Sequence, residues 1–204
     1  MHRGTLYIIS APSGAGKTSL VKALCEQMSG IGISVSTTTR AQRPGEENGV
    51  DYWFVDQQTF EQKQKEGDFL ESARVFDHFY GTSKSAVETQ LTAGEDVILE
   101  IDWQGARQVR ELMPEHVSVF ILPPSREVLE TRLRSRGQDS EDVIARRMQD
   151  AVQEISHYNE YQYLIINDDF ATALSELRCL VMAQRQKMTR AIEQNQLLIQ
   201  SLLE

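Results

Sequence analysis

The residues best suited to chemistry form a loop of small side chains near the start of the chain. They are Ala11, Pro12, Ser13, Gly14, Ala15, Gly16, Lys17 and Thr18. Their order matches the pattern G-x-x-x-x-G-K-[ST], except that Ala11 replaces the leading glycine. The backbone N–H groups of such a loop can surround the phosphates of ATP, while Lys17 reaches the β- and γ-phosphates and the Thr18 hydroxyl ligates Mg²⁺. The loop therefore predicts an ATP site with Mg²⁺, and the alternative is a glycine-rich turn that happens to precede a lysine.

Two acidic residues emerge from an apolar run further along the chain. Glu100 and Asp102 follow residues 97–99, which are Val, Ile and Leu. If one strand includes both acids, their side chains point to the same side of the sheet. An acid in that position can hold Mg²⁺ or its waters. The alternative is an ordinary solvated strand end, and the spacing does not say which acid would serve the metal.

These residues need a scaffold in which strands alternate with helices. Short apolar runs rich in β-forming residues predict buried strands at 6–10, 97–102, 117–122 and 163–167. Apolar residues at helical spacing predict helices at 18–28, 104–113, 126–135 and 141–158. This order predicts an α/β fold, with a mainly parallel sheet flanked by helices. Ligands then bind beyond the carboxyl ends of the strands, where the phosphate loop falls.

Residues 34–87 differ from the rest of the chain. Strand patterns at 33–36, 52–55 and 69–75 lie among turn-forming residues, with helix patterns at 57–66 and 84–92 and a predicted turn at 77–82. We expect an inserted, partly β subdomain here. The periodicity after Phe170 predicts one long helix to the end of the chain.

Composition narrows the range of functions. The 204 residues include 30 acidic and 21 basic side chains, a net charge of −9 that argues against a broad nucleic-acid surface. No segment is apolar enough to span a membrane or to form a secretory signal. We therefore expect a cytoplasmic protein in which Cys25 and Cys179 are reduced thiols. The four histidines are scattered without ligand spacing, which predicts no zinc site.

Several further motifs follow in order along the chain. They are Ser-Val-Ser-Thr-Thr-Thr-Arg at 34–40, Arg-Pro-Gly-Glu at 43–46, Gly-Val-Asp-Tyr at 49–52, Phe-Leu-Glu at 69–71, Tyr-Gly-Thr at 80–82, Asp-Trp-Gln-Gly at 102–105, Arg-Gly at 136–137 and Ile-Asn-Asp-Asp at 166–169. Together with the phosphate loop, the set resembles a bacterial guanylate kinase over about residues 4–185. Each motif alone is weak, whereas the ordered set is specific.

The resemblance implies a P-loop nucleotide kinase that transfers the γ-phosphoryl group of ATP to GMP, giving ADP and GDP, with Mg²⁺. It implies a single domain with a core of about residues 1–33, 88–125 and 150–204. An NMP-binding subdomain at about 34–87 and a mobile helical lid at about 126–149 would close over the two substrates. Two departures from the family pattern are present. Ala11 replaces the usual glycine, which we expect to be tolerated, and Glu100 stands where many members have Asp, which leaves its role open.

The resemblance also implies roles for individual residues. Ligands or neighbours of the GMP phosphate would be Ser36, Arg40, Arg43, Tyr52 and Tyr80. The guanine base would be recognised by Glu71 and Thr82, with Glu100 and Asp102 near its amino group and the metal. Catalysis would use Lys17, Arg40, Arg132, Arg136 and Arg147. Asn167 would lie near the adenine, and Thr18 with Asp102 would bind the metal.

The chemistry of these residue types agrees with the implied roles. Guanine offers N1–H and N2–H₂ as adjacent donors and an ionised Glu71 accepts both, whereas adenine offers no such pair. The forked guanidiniums of Arg40 and Arg43 suit a phosphate dianion. Each residue also has an ordinary alternative when taken alone. Glu71 could be a surface acid, the arginines could be solvated loop residues, and Tyr52 and Tyr80 could be packing rings.

Six arginines are concentrated in a short part of this acidic chain. They are Arg126, Arg132, Arg134, Arg136, Arg146 and Arg147. Neutralising the charge of a transferring phosphoryl group would use two or three of them. The alternative is a solvated helix face with Glu–Arg pairs, which we expect for Arg126 and Arg134 only.

Two other functions stay open at this point. One is a P-loop kinase for a different small acceptor, against which Glu71 and Thr82 argue. The other is an inactive scaffold domain, against which the intact phosphate loop argues. No residue fixes a preference between GMP and dGMP. The apolar residues at the end of the chain, among them Leu197 and Leu203, could pack on the core or join a second subunit, so a homo-oligomer is possible.

Overall fold

The computed structural model describes residues 2–75, 77–135 and 140–204. Its centre is a sheet of five parallel strands in the order β2-β7-β1-β8-β9. The strands are β1 Leu6–Ser10, β2 Ile31–Ile33, β7 Asp96–Glu100, β8 His116–Leu122 and β9 Tyr163–Ile166. The parallel sheet confirms the predicted α/β class, and it brings the carboxyl ends of all five strands to one edge.

Helices cover both faces of this sheet. The α-helices of the described residues are α1 Lys17–Gln27, α2 Gln57–Glu66, α3 Lys84–Thr92, α4 Trp103–Leu112, α5 Arg126–Ser135, α6 Glu141–Ile155, α7 Phe170–Arg185, α8 Met188–Gln194 and α9 Gln196–Leu203. No helix in the part of the chain that the structure describes is long and apolar enough to cross a membrane.

The central strand β1 shows why two layers of helices form. All five of its residues are buried, and successive side chains point to opposite faces. Tyr7 and Ile9 pack with residues of α1 and α7 on one face. Leu6 and Ile8 pack with residues of α3 and α4 on the other. The two apolar clusters fix β1 on both faces, and so they fix the start of the phosphate loop that follows it.

A second, four-stranded sheet occupies the insertion, with the order β4-β3-β6-β5. Its strands are β3 Thr37–Thr38, β4 Trp53–Phe54, β5 Phe69–Val75 and β6 His78–Ser83. The predicted turn at 77–82 is therefore wrong, because most of it is strand β6, paired antiparallel with β5. Gly81 lies under an aromatic ring, where an added Cβ would stand 3.0 Å from Phe69. The glycine serves close packing in a strand and does not form a turn.

The end of the chain is not the single long helix that its periodicity predicts. It forms α7, α8 and α9, with an extended break at Lys187 (φ −56°, ψ 137°). The break lets two arginines reach the fully buried carboxylate of Asp96. Arg185 lies 2.8 Å and Arg190 2.6 Å from its oxygens. A buried carboxylate needs such partners, and this requirement overrides the local helical preference.

Other predicted boundaries also shift. Strand β7 ends at Glu100, so Asp102 lies beyond it and caps α4 instead of sharing a strand with Glu100. Residues 34–36 fall outside the short strand β2. The helix predicted at 141–158 ends at Ile155, and a short 3-10 turn, Tyr158–Glu160, follows. Each boundary depends on capping or on strand partners that the sequence pattern does not reveal.

Candidate active site

A cavity of about 250 Å³ lies at the edge of the parallel sheet where the strands end. One wall is the phosphate loop, and the facing wall belongs to the second sheet. Thirteen of the predicted site residues line it: Ala11, Pro12, Ser13, Gly14, Gly16, Lys17, Thr18, Ser36, Tyr52, Glu71, Tyr80, Glu100 and Asp102. Residues from separate parts of the sequence thus face one cleft of a size suited to small molecules.

The backbone of the phosphate loop requires its two glycines. Gly14 and Gly16 have φ angles of 93° and 91°, the left-handed region in which a side chain is strained. A Cβ on Gly16 would stand 2.4 Å from the Asn167 amide nitrogen, and one on Gly14 would stand 3.0 Å from Leu133. Ala11, in contrast, is partly buried against the core, so its methyl group is accommodated there.

Helix α1 starts at Lys17, immediately after this loop. The N-terminus of a helix carries unpaired N–H groups and a partial positive charge, both of which favour an anion. Lys17 adds a full positive charge to the same place and lines the cavity. The local structure therefore matches the phosphate-binding chemistry that the sequence predicts.

Asn167 and Arg132 support the loop from behind. The Asn167 side chain is buried, and its Nδ2 donates to the Ala15 carbonyl at 2.7 Å. Arg132 donates through Nη2 to the Asn167 carbonyl at 3.0 Å. Among the described residues, Asn167 Oδ1 and Arg132 Nη1 are buried and have no protein partner. Two unpaired polar atoms beside a phosphate loop fit a site that is completed by a ligand.

Glu154 is a site residue that the sequence analysis missed. It lines the cavity, and its Oε2 accepts a hydrogen bond from the Ser13 N–H at 3.1 Å. Burial raises the pKa of its carboxyl to about 7, although the nearby Lys17 cation acts in the opposite direction. The signal was present in α6, because Glu154 follows the buried Ala151 by three residues and therefore lies near the inner face of the helix.

The two acids after the apolar run have different surroundings. Glu100, at the end of β7, accepts a hydrogen bond from the Thr18 hydroxyl at 2.9 Å. Asp102 instead accepts from the Gly105 N–H at 2.9 Å and from the Gln104 side chain at 3.0 Å, as the N-cap of α4. Glu100 is thus the acid that directly contacts the predicted metal ligand Thr18.

Glu71 lies at the far end of the cavity and is only 3% exposed. It pairs across the sheet with Thr82, whose hydroxyl donates to it at 2.6 Å. Burial raises the pKa of this carboxyl to about 7, and the charge of Asp102 contributes in the same direction. The structure therefore excludes the surface-acid alternative. A buried carboxylate with one hydroxyl partner retains acceptor capacity for a ligand that carries adjacent N–H donors.

Arg40 and the two tyrosines form a group between Glu71 and the surface. The Arg40 guanidinium is 2.7 Å from Glu46 and lies 5.3 Å from the centre of the Tyr52 ring. The rings of Tyr52 and Tyr80 meet edge to face, with their centres 6.0 Å apart. Both rings line the cavity. The tyrosine rings therefore pack against each other and also face the cleft. This arrangement agrees with both alternatives, ring packing and contact with a ligand.

The remaining predicted arginines lie less directly on the cavity. Arg43 is exposed, and its backbone N–H donates to Glu46 at 2.8 Å. Arg147 is half-buried on α6. Arg136 lies outside the described residues. Arg134 forms ion pairs with Glu130 and Glu141 on the surface, as expected for a residue without a role in the site.

Comparison with known proteins identifies the family. The sequence model of the family described as guanylate kinase matches residues 3–184. A guanylate kinase of Chromohalobacter salexigens is 63% identical over 98% of this chain and 94% of its own length. One of Hydrogenovibrio crunogenus is 61% identical over 98% of this chain and 97% of its own. The crystal structure of guanylate kinase from Anaplasma phagocytophilum superposes with a TM-score of 0.78 at 35% identity, covering 93% of this chain and 90% of that one. The chain therefore belongs to the guanylate kinase family.

Proposed function

We propose that this chain transfers the γ-phosphoryl group of ATP to GMP, giving ADP and GDP. The observation that carries the proposal is a buried carboxylate, Glu71, in the same cavity as a phosphate loop. Guanine has two adjacent donors, N1–H and N2–H₂, which one carboxylate accepts together. An adenine base would leave the buried carboxylate without those donors, at a large cost in affinity. The acceptor is thus a guanine nucleotide, which agrees with the activity named for the relatives.

ATP would bind by its phosphates at the loop. The N–H groups of the loop and of the first turn of α1 would donate to the anionic phosphate oxygens, with Lys17 as a point charge. Arg132 has a buried guanidinium nitrogen with no partner among the described residues, and a phosphoryl oxygen would supply one. Asn167, which already holds the loop, would lie near the adenine. We assign Arg136 and Arg147 to the transferring phosphoryl group from the family pattern.

The GMP phosphate would lie between the two sheets, near Ser36, Tyr52 and Tyr80, which line the cavity. Arg40 would neutralise its charge, and Glu46 holds that guanidinium in place. Arg43 is exposed and would have to turn toward the cleft to reach the phosphate. Thr82 would support Glu71 on the base itself. We assign no residue to the 2′ position of the sugar, so we propose dGMP as a second substrate.

The residues present fit Mg²⁺ bound together with ATP. No group of three or more His, Cys, Asp or Glu side chains in the described part of the chain could hold a metal alone. The Thr18 hydroxyl and the Glu100 carboxylate are oxygen donors 2.9 Å apart, and Mg²⁺ commonly uses one or two protein oxygens plus phosphates and waters. We propose Thr18 and Glu100 as the protein ligands nearest to Mg²⁺. Asp102 would contribute to the metal site from its position as the N-cap of α4. Bound Mg²⁺ would supply charge neutralisation at the phosphates.

Phosphoryl transfer requires the protein to position both substrates and to neutralise the charge of the phosphoryl group, and it does not require a strong general base. Lys17 and Arg132 would stabilise the charge of the transferring group on the ATP side, and Arg40 would do so on the GMP side. Closing the insertion and the lid over both substrates would keep water from the γ-phosphate. The cleft between the two sheets supports such a closure.

Partners and location complete the proposal. The net charge of −9 supports small anionic substrates held by local cations over nucleic acid. The free thiols of Cys25 and Cys179 support a cytoplasmic location. Leu197 and Leu203 on α9 are each 83% exposed, which supports contact with another copy of the chain.

The test is steady-state ADP production from ATP and Mg²⁺ with GMP, dGMP, AMP, CMP or UMP as acceptor. Turnover with GMP that far exceeds turnover with AMP, CMP and UMP supports the proposal. Turnover with a different acceptor would point to another small-molecule kinase. ATP binding without turnover on any acceptor would favour an inactive scaffold domain.

A further inference from the structure

One face of α4 contacts the strand that carries Glu71. The N-cap Asp102 and the helix residues Gly105 and Gln108 are spaced three apart, so their side chains lie along one face of the helix. That face meets β5, which is the edge strand of the second sheet. Helix α4 belongs to the parallel-sheet layer, where Ala106 and Val109 pack with β1 and β7. The contact therefore joins the guanine side of the cleft to the core.

Gln108 pairs with the edge strand much as a neighbouring strand would. Its Oε1 accepts from the Ser72 N–H at 3.1 Å, and its Nε2 donates to the Ser72 carbonyl at 2.9 Å. Both polar groups of one edge residue are thus satisfied by a single side-chain amide. Ser72 directly follows Glu71, so this pairing holds the backbone of the guanine-facing strand at a fixed distance from α4.

Gly105 provides the space into which the Glu71 carboxylate fits. A Cβ at this position would stand 2.4 Å from Glu71 Oε2 and 3.0 Å from the carboxyl carbon. Only a residue without a side chain allows the carboxylate to lie directly on the helix backbone. The other oxygen, Oε1, is held by Thr82. Helix and sheet together therefore define where both oxygens lie.

We propose that Gln108 is a positioning residue for guanine recognition, and that Gly105 is its steric counterpart on the same helix face. Gln108 acts through the backbone of Ser72 on Glu71 and does not touch the nucleotide. Its loss releases β5 from α4 and lets the carboxylate move away from the two N–H donors of the base. This inference rests on the proposed function, because it deepens the account of how GMP is chosen.

The chain offers a matched control at the same serine. Gln64 on α2 donates to the Ser72 side-chain oxygen at 2.9 Å. Its contact stays within the insertion, whereas the Gln108 contact connects the insertion to the core. Gln64→Ala thus removes the same residue type and a contact with the same serine, without releasing β5 from α4.

The experiment compares wild type, Gln108→Ala, Gly105→Ala and Gln64→Ala by steady-state kinetics with GMP and with IMP, which lacks the 2-amino group. Loss of two hydrogen bonds predicts about a tenfold rise in the KM for GMP in Gln108→Ala, with kcat and the KM for ATP changed less than about twofold. The preference for GMP over IMP is expected to fall in the same variant. Gly105→Ala is expected to show the larger loss of GMP preference, and Gln64→Ala to match wild type.

Melting temperatures of the variants show whether a change in KM comes from lost positioning of Glu71 or from lost folding stability. Alanine has a better helix propensity than glycine, so Gly105→Ala is not expected to weaken α4 itself. An unchanged KM for GMP in both α4 variants would overturn the assignment, as would an equal rise in the KM values for ATP and GMP. Absence of GMP turnover in the wild type would overturn the proposed function, and this assignment with it. Wild-type turnover with unaffected variants would overturn this assignment alone.

Discussion

Two glutamates, the buried Glu71 and the half-buried Glu154, line the same cavity and differ in their hydrogen-bond partners. Glu71, on the second sheet, accepts from the Thr82 hydroxyl. Glu154, on α6, accepts from the Ser13 N–H of the phosphate loop and lies near Lys17. Burial raises the pKa of each carboxyl to about 7. The groups are chemically alike, and only their partners distinguish them.

In the proposed complex, these partners would give the two carboxylates opposite relations to a substrate. Glu71 would present acceptor oxygens to a base that carries donors, so its charge would favour binding. Glu154 accepts from an N–H group that an ATP phosphate would use, so its charge would compete with binding. A raised pKa alone therefore does not identify a ligand-binding residue, and its hydrogen-bond partner must be considered as well.

The largest expected effect concerns the cation that faces Glu154. Lys17→Ala removes the point charge from the phosphate loop, and we expect kcat/KM to fall about 10³-fold because charge on the transferring phosphoryl group is no longer neutralised. Lys22→Ala, an exposed position on the same helix, serves as the control and should leave the kinetics unchanged. A Lys17 variant with near wild-type turnover would show that the loop does not hold the reacting phosphates.

The second-largest expected effect is on recognition of the guanine base. Glu71→Gln keeps the size of the side chain, but its amide NH₂ faces donors on guanine and only one acceptor oxygen remains. We expect kcat/KM for GMP to fall about 10²-fold, with the KM for ATP nearly unchanged. Kinetics with each substrate varied in turn provide the measurement. An equal loss for both substrates would place Glu71 outside base recognition.

A smaller effect, of opposite sign, is expected on the ATP side. Glu154→Gln removes the negative charge that competes with phosphate while keeping an oxygen that can accept from Ser13. We expect the KM for ATP to fall about tenfold at pH 8, where the wild-type carboxyl is mostly ionised. Weaker ATP binding in this variant would mean that Glu154 assists the phosphates.

The smallest effect is on stability, and here the two glutamates should agree. Each carboxyl has an ordinary pKa of 4.5 and a pKa of about 7 in the folded chain, so the folded state binds more protons between these values. Stability contributed by the protonated forms is therefore complete below pH 4.5 and is lost as pH rises through 7. We expect Glu71→Gln and Glu154→Gln each to raise the Tm of the ligand-free chain at pH 8 by about 5 °C.

The same scan at pH 5 provides the control for the stability prediction. At that pH the wild-type carboxyls are mostly protonated, so the glutamine variants should gain much less. A gain that does not depend on pH would mean that the benefit comes from packing and not from removal of a buried charge.

The sequence predicted the phosphate loop better than it predicted the residues that contact this loop. The phosphate loop is contiguous, and its strand and helix follow from local pattern, so the sequence predicts residues 11–18 as one loop between β1 and α1. Glu154 follows Ala151 by three residues, which places it near the inner face of α6, but this spacing does not distinguish a site acid from an ordinary helix acid. Its position depends on how α6 packs behind the loop, which is a tertiary property.

For the cavity wall that belongs to the second sheet, the sequence predicted residues better than the strands that carry them. The ordered motifs predict a shared role for Glu71 and Thr82, yet the strand that brings Thr82 opposite Glu71 was predicted to be a turn. Strand pairing outweighed the local turn preference of residues around Gly81. The break before α8 depends in the same way on a distant group, since Asp96 draws in two arginines from the end of the chain.

The most direct test of the account is a set of six titrations by calorimetry. Wild type, Glu71→Gln and Glu154→Gln are each titrated with GMP and, separately, with a non-hydrolysable ATP analogue plus Mg²⁺. The account predicts that Glu71→Gln loses affinity for GMP alone, and that Glu154→Gln gains affinity for the ATP analogue alone. Parallel changes for both ligands in either variant would contradict it, because the two carboxylates would then not serve separate substrates.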